Sequence, residues 1–215
     1  MKLLLTSWWI TNDLIKNAFL KLLWKHFEES NLVFIQTAST FESWDKFWLI
    51  NDLITLNNLN FKSFKIVDIA IVWESVWKEA FENADVLYFE WWITYELMKY
   101  LNKTWITKIM PELLKNKVYV WVSAWSMVTS PDLWLKLSYS LYDEPIEENI
   151  QWLNLVDFYF LPHLNSDYFT KVRKENILET SKNLDKPIYV LDDNSAIFIE
   201  NDKMEIIGWW EWFKI

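Results

Sequence analysis

"VYVWVSAWSMV", residues 118–128, decides how the rest of the chain is read. Val118 to Val122 form an apolar run without alternation, the pattern of a strand covered on both faces. The run stops at Ser123, and helical spacing begins at Ala124. Trp121 and Trp125 stand two residues before and two after the serine. A sharp strand-to-helix turn has no room for bulky side chains there, so the two indoles need explaining.

Composition supplies an explanation. A soluble chain of this size carries about 15 glycines at the ordinary frequency of about 7%. This chain of 215 residues has one glycine, Gly208, and 17 tryptophans. The tryptophans gather at strand ends: Trp8-Trp9 after "KLLLTS", Trp91-Trp92 after "DVLYFE", Trp209-Trp210 after Gly208. Tryptophan favours pockets and interfaces where its indole N–H is paired. Glycine alone takes positive φ at little cost and lets backbone approach a ligand closely. We read many of these positions as glycines by ancestry, written as Trp because a UGA codon is translated under the wrong code; some bacterial lineages read UGA as glycine. Trp48, Trp77, Trp134 and Trp212 fall inside helical or strand-like apolar patterns and are read as genuine. A Trp-rich core is the alternative, and the codons at 121 and 125 separate the two.

The remaining global features narrow the function classes. The chain fits a single domain, residues 1–215, and its 52% hydrophobic content is ample for a core. A net charge of −9, with Arg173 the only arginine, argues against a nucleic-acid or anionic-membrane surface. No apolar run reaches the length of a membrane span, and "MKLLLTSWWITND" meets polar residues too early for a signal peptide. A cytoplasmic location is expected. The absence of cysteine removes disulfides, thiolate catalysis and Cys-based zinc sites. The two histidines, His26 and His163, show no metal-ligand spacing, so neither metal nor other cofactor is expected.

Period and punctuation give an alternating α/β chain. "KLLLTS" (2–7) reads as a buried strand, with Asn12 capping a helix that carries Ile15, Ala18, Phe19, Leu22 and Leu23. "NLVFIQTAST" (31–40) precedes an amphipathic stretch through Phe47, Leu49, Ile50, Leu53 and Ile54. "FKIVDIA" (64–70) leads to a short helix near 74–84, "DVLYFE" (85–90) to one from Thr94, and "KVYVWVS" (117–123) to one from Ala124. The pattern then changes to "LVDFYFLPH" (155–163), a helix around 167–184, and "PIYVLDD", "SAIFIEN" and "KMEIIG", with a hairpin turn at Asn201-Asp202. The predicted architecture is a three-layer α/β sandwich, a mostly parallel sheet with helices on both faces and an antiparallel C-terminal edge. Sites in such sheets form at the carboxyl ends of strands.

The chemistry-bearing residues fall at those ends. With glycine at 121 and 125 the opening stretch becomes G-x-S-x-G, a nucleophile elbow, with Ser123 projecting from the sheet edge and the Ala124 N–H directed at a developing oxyanion. A serine hydroxyl needs a base to take its proton. His26 lies at the polar end of an amphipathic helix and reads as a solvated residue; His163, after "FYFLP", falls on the edge where Ser123 sits. A third group must orient the imidazole. Asp193, ending "IYVLDD", occupies a strand end, with Asp192 and Asp143 as rivals.

Taken together, "LLLTSWW", "VFIQTAST", "LYFEWWITYEL", "VYVWVSAWSMV", "FLPHLN", "VRKENI" and "VLDDNSAI" resemble the peptidase E or aspartyl dipeptidase family of serine peptidases, related in fold to class I glutamine amidotransferases. The likeness spans most of the chain, and with glycine restored three segments become TSGG, EGGIT and GVSAGS. The resemblance implies Ser123 as nucleophile, His163 as general base and then acid, and Asp193 as the orienting carboxylate. It also implies a second oxyanion donor at residues 91 and 92, here Trp91 and Trp92. Arg173 falls where a cation could meet a substrate carboxylate, although a plain surface arginine fits the residue as well. Aspartate at 193 departs from the founding dipeptidase, which carries a glutamate there, and the segment between His163 and Arg173 is shorter, which puts a preference for N-terminal Asp in doubt. The function expected is hydrolysis of short peptides through an acyl-enzyme, with a homodimer possible. The alternative is an inactive or binding member of the same fold, particularly with real Trp at 91, 92, 121 and 125.

Overall fold

The computed structural model describes residues 1–40, 45–90, 94–132, 135–144, 150–182, 184–201, 203–208 and 211–215. Trp91, Trp92, Trp134, Asp202, Trp209 and Trp210 lie outside the described residues. The first half alternates as read: β1 (Lys2–Thr6), α1 (Asp13–Leu23), β2 (Asn31–Ile35), α2 (Phe47–Asn57), β3 (Ser63–Val67), α3 (Glu74–Asn83), β4 (Val86–Phe89), α4 (Thr94–Lys103) and α5 (Ile106–Leu113). The second half runs β5 (Val118–Val122), α6 (Ala124–Met127), α7 (Leu135–Tyr142), β6 (Tyr159–Leu161), α8 (Lys174–Thr180), β7 (Ile188–Leu191), β8 (Ala196–Glu200), β9 (Lys203–Ile207) and β10 (Trp212–Lys214).

Seven strands form one sheet in the order β3-β2-β4-β5-β1-β8-β9. The five from β3 to β1 pair in parallel, and β8 and β9 close the edge antiparallel. Because successive side chains point to opposite faces, the unbroken apolar runs supply two cores. Leu3, Leu5, Val33, Ile35, Leu87, Phe89, Tyr119 and Trp121 face one side, where α3 to α8 pack. Leu4, Leu32, Phe34, Val86, Tyr88, Val118 and Val120 face the other, against α1 and α2. The Asn12 side chain accepts from the backbone N–H groups of Leu14 and Ile15 and so starts α1. That helix ends at Trp24, whose φ of 59° is left-handed.

Three differences from the sequence reading matter. The strands predicted around 155–163 and 187–193 do not join the main sheet; β6 and β7 pair in parallel and, with β10, make a separate three-stranded sheet. The helix predicted over 167–184 shrinks to α8, because residues 164–173 fold instead as a loop against His163. In α2 the buried face is Trp48, Asp52 and Leu56, with Leu49 and Leu53 beside it, while Phe47, Ile50 and Ile54 stay exposed. The predicted apolar stripe is therefore rotated, and a carboxylate takes a core position.

Candidate active site

Four strand ends converge on one point. β1 and β5 are parallel neighbours in the main sheet, with Thr6 in register with Val122, so Ser7 and Ser123 emerge side by side. β6 and β7 are parallel neighbours in the smaller sheet, with Leu161 opposite Val190, so His163 and Asp193 emerge together. The nucleophile candidate thus comes from one sheet and the base and acid candidates from the other.

Ser123 Oγ lies 2.6 Å from His163 Nε2, and His163 Nδ1 lies 2.6 Å from Asp193 Oδ1. The serine has φ 52° and ψ −116°, and the histidine φ 69°. Positive φ at a residue with a Cβ costs about 1–3 kcal/mol and persists only where the surroundings impose it. For Ser123 they do. Its N–H donates to the Thr6 carbonyl at 2.9 Å, and the Ser126 hydroxyl, one turn on, reaches the Thr6 and Trp121 carbonyls. The unusual torsion falls on the serine itself, while Trp121 stays in β5 and Trp125 in α6. Both indoles are fully buried, Trp121 stacked on Phe89 and Trp125 tilted against it, and among the described residues neither Nε1 has a hydrogen-bond partner.

The imidazole is fully buried and Ser123 is 2% exposed. Phe169 stacks on the His163 ring at 4.0 Å, and Trp8 meets it edge-on at 5.2 Å. Burial pushes the His163 pKa below the ordinary imidazole value of 6.5, outweighing the hydrogen bond and charge of Asp193 that act to raise it. Burial would raise the Asp193 pKa, but the hydrogen bond and charge of His163, with hydrogen bonds from Ser166 and Ser7, hold it below the usual carboxylate value. The resting state is a neutral imidazole between a hydroxyl and an ionised carboxylate.

The other sequence candidates fall elsewhere. The Asp192 carboxylate shapes the turn after β7, accepting from Asn194 N–H, Ser195 Oγ–H and Glu211 N–H. Asp143 pairs with Lys171 near the surface. His26 is exposed at the start of a short 3₁₀ turn. Ala124 is the first residue of α6, where a backbone N–H has no intrahelical acceptor. The Arg173 guanidinium donates to the carbonyls of Ser166, Phe169 and Val172, fastening the loop whose Phe169 covers the imidazole. Sequence reading missed Ser7, Ser166 and Phe169. Ser7 carried a usable signal, a polar residue at the carboxyl end of a central strand.

Several known proteins resemble this chain in sequence or fold. The sequence pattern of peptidase family S51 matches residues 4–207. An uncharacterized peptidase of Listeria monocytogenes is 29% identical over 185 residues, 82% of this chain and 87% of its own. An uncharacterized peptidase of Pasteurella multocida is also 29% identical, over 117 residues; the match spans 54% of this chain and only 56% of that relative. Among solved structures, a protein from Listeria monocytogenes assigned as peptidase E superposes with a TM-score of 0.77 at 24% identity, covering 97% of this chain and 98% of that one. A peptidase from an acI-B1 Actinobacterium gives a TM-score of 0.70 at 14% identity, covering 100% and 93%. The fold is that of these peptidases. A family match running from within β1 to the end of β9 takes in every strand of the main sheet, and the chain belongs to peptidase family S51, the serine peptidases of the peptidase E type.

Proposed function

We propose that this peptidase hydrolyses short peptides through an acyl-enzyme formed on Ser123, with His163 as general base and Asp193 as its orienting carboxylate. The observation that carries the reading is the unbroken line from Ser123 Oγ through the His163 ring to Asp193 Oδ1, two contacts of 2.6 Å each. Nε2 accepts the hydroxyl proton as Oγ bonds to the scissile carbonyl carbon. It returns that proton to the leaving amine as the C–N bond breaks. Water then enters and gives a proton to the same nitrogen as its oxygen bonds to the acyl carbon; Nε2 passes that proton to Ser123 Oγ as the C–Oγ bond breaks, releasing the acid and restoring the free serine. Asp193 favours the tautomer with hydrogen on Nδ1 and stabilises the transient imidazolium. The developing oxyanion takes a hydrogen bond from the Ala124 N–H; the family resemblance implies a second donor at residues 91 and 92, which lie outside the described residues. The burial of Ser123 supports a short, dipeptidase-type substrate over a long chain.

A fluorophosphonate probe tests this. Labelling at Ser123 that disappears in Ser123→Ala, together with a loss of peptide hydrolysis on the order of 10³-fold or more, is the expected result. A folded protein that neither reacts with the probe nor releases amino acids from a dipeptide mixture would instead be a binding member of the family.

A further inference from the structure

We propose that Ser7 is a positioning residue of the hydrolytic site, closing a hydrogen-bonded ring that fixes His163 against Asp193. The proposal rests on the reading of Ser123, His163 and Asp193 as the catalytic groups. Ser7 is fully buried at the carboxyl end of β1. Its Oγ accepts the His163 backbone N–H at 2.6 Å, and its one hydroxyl proton is shared between Asp193 Oδ1 at 3.2 Å and the Leu191 carbonyl at 3.3 Å. The same Oδ1 accepts from His163 Nδ1. Backbone N–H, serine hydroxyl, carboxylate and imidazole therefore form a closed circuit with both ends on His163.

Two features make the circuit more than a satisfied buried hydroxyl. His163 holds a left-handed φ of 69°, and the bond from its own N–H is one of the contacts that hold the residue there. The residue before Ser7, Thr6, receives the Ser123 N–H and the Ser126 hydroxyl on its carbonyl. One dipeptide thus grips the nucleophile with its first residue and the base and acid with its second. Since the groups come from different sheets, Thr6-Ser7 is where their separation is set. A misplacement of about 1 Å between reacting groups costs about 10²-fold in rate, so a single hydroxyl at this seam has a large lever.

The test measures the rate of fluorophosphonate labelling as a function of probe concentration. Ser7→Ala should lower the maximal labelling rate about 10- to 100-fold and leave the half-saturating probe concentration unchanged. In an Asp193→Asn background, where the circuit is already broken, the same substitution should cost less than about twofold. Ser7→Cys, which conserves volume and weakens both hydrogen bonds, should show the same loss in smaller measure and keeps the test open if the alanine variant does not fold. Wild-type labelling rates in Ser7→Ala or Ser7→Cys, or an equal factor lost with and without Asp193, would overturn the proposal. Labelling that survives Ser123→Ala would instead bring down the reading of the catalytic groups, and the role of Ser7 with it.

Discussion

At the scale of single residues, the protonation of His163 sets the working range. The neutral ring is the base, and burial holds its pKa below 6.5 against the pull of Asp193. Probe labelling should therefore be level through neutral pH and fall only on the acid side of the ordinary imidazole range. Stability follows the same sign: an unfolded chain takes up the imidazole proton near pH 6.5 while the folded one resists, so the contribution of His163 to the urea midpoint should decline as pH drops below 6.5. The depressed Asp193 adds a further loss at lower pH, below the ordinary carboxylate value of 3.8. A midpoint that rises on mild acidification in an Asp52→Asn background, where the opposing buried carboxylate is removed, would contradict this. Two tryptophans make a separate case. Trp24 and Trp105 have φ of 59° and 62°, in the left-handed region, and are 73% and 60% exposed. Relief of that torsion by glycine is worth about 1–2 kcal/mol. Lys2 over Trp24 and Lys108 over Trp105 form cation–π contacts, which return about 0.5–1 kcal/mol at exposed sites. The torsion wins, so Trp24→Gly and Trp105→Gly should each raise the urea midpoint slightly. These are also the two tryptophans among the described residues with positive φ, the torsion that glycine takes at least cost.

Among the elements, α2 and β4 are joined by a polar contact inside an apolar layer. Asp52 of α2 is fully buried, accepts from the Tyr88 hydroxyl of β4, and is hydrogen-bonded to Glu90 just beyond it. Burial raises its pKa above 3.8 despite these two partners. Because an unfolded Asp ionises near 3.8, the fold loses stability as pH climbs from there through the raised value. Asp52→Asn keeps the shape and removes this penalty, so it should stabilise the protein at pH 8 by about 1–3 kcal/mol and not at pH 4. A gain independent of pH would place its cause elsewhere. This is also where the sequence was least legible. Period alone marked an apolar stretch through Phe47, Leu49, Ile50, Leu53 and Ile54, of which only Leu49 and Leu53 pack on the core, and the helix turns its carboxylate inward because a tyrosine and a glutamate wait there, which no spacing rule contains. The parallel strands and α1 were readable, since continuous apolar runs and an Asn cap are local signals. So were Ser123, His163 and Asp193, each at a strand end. The loop 164–173 was not: the stacking of Phe169 on His163 and the grip of Arg173 on three carbonyls are tertiary events that override a plausible helical pattern.

The molecule as a whole carries its site across two sheets of unequal size. The seven-stranded sheet with its helices holds most of the core, whereas β7, which leads to Asp193, depends on one short neighbour on either side. β10 pairs with it from Trp212 opposite Leu191 to Lys214 opposite Tyr189, and Ile215 exchanges two backbone hydrogen bonds with Ile188. Deleting residues 211–215 should leave the main sheet folded, with a modest drop in urea midpoint, while labelling at Ser123 slows about tenfold or more. Parallel losses in both would show that the small sheet is integral to folding. Among the described residues no helix is long and apolar enough to cross a membrane. For protein engineering, the division of labour between the sheets gives two independent dials. The far edge of the large sheet, β3 and β2 with α2 and α3, can be rebuilt for heat tolerance without touching the reacting groups, and turnover can be tuned through the narrow strip of backbone that carries Thr6 and Ser7.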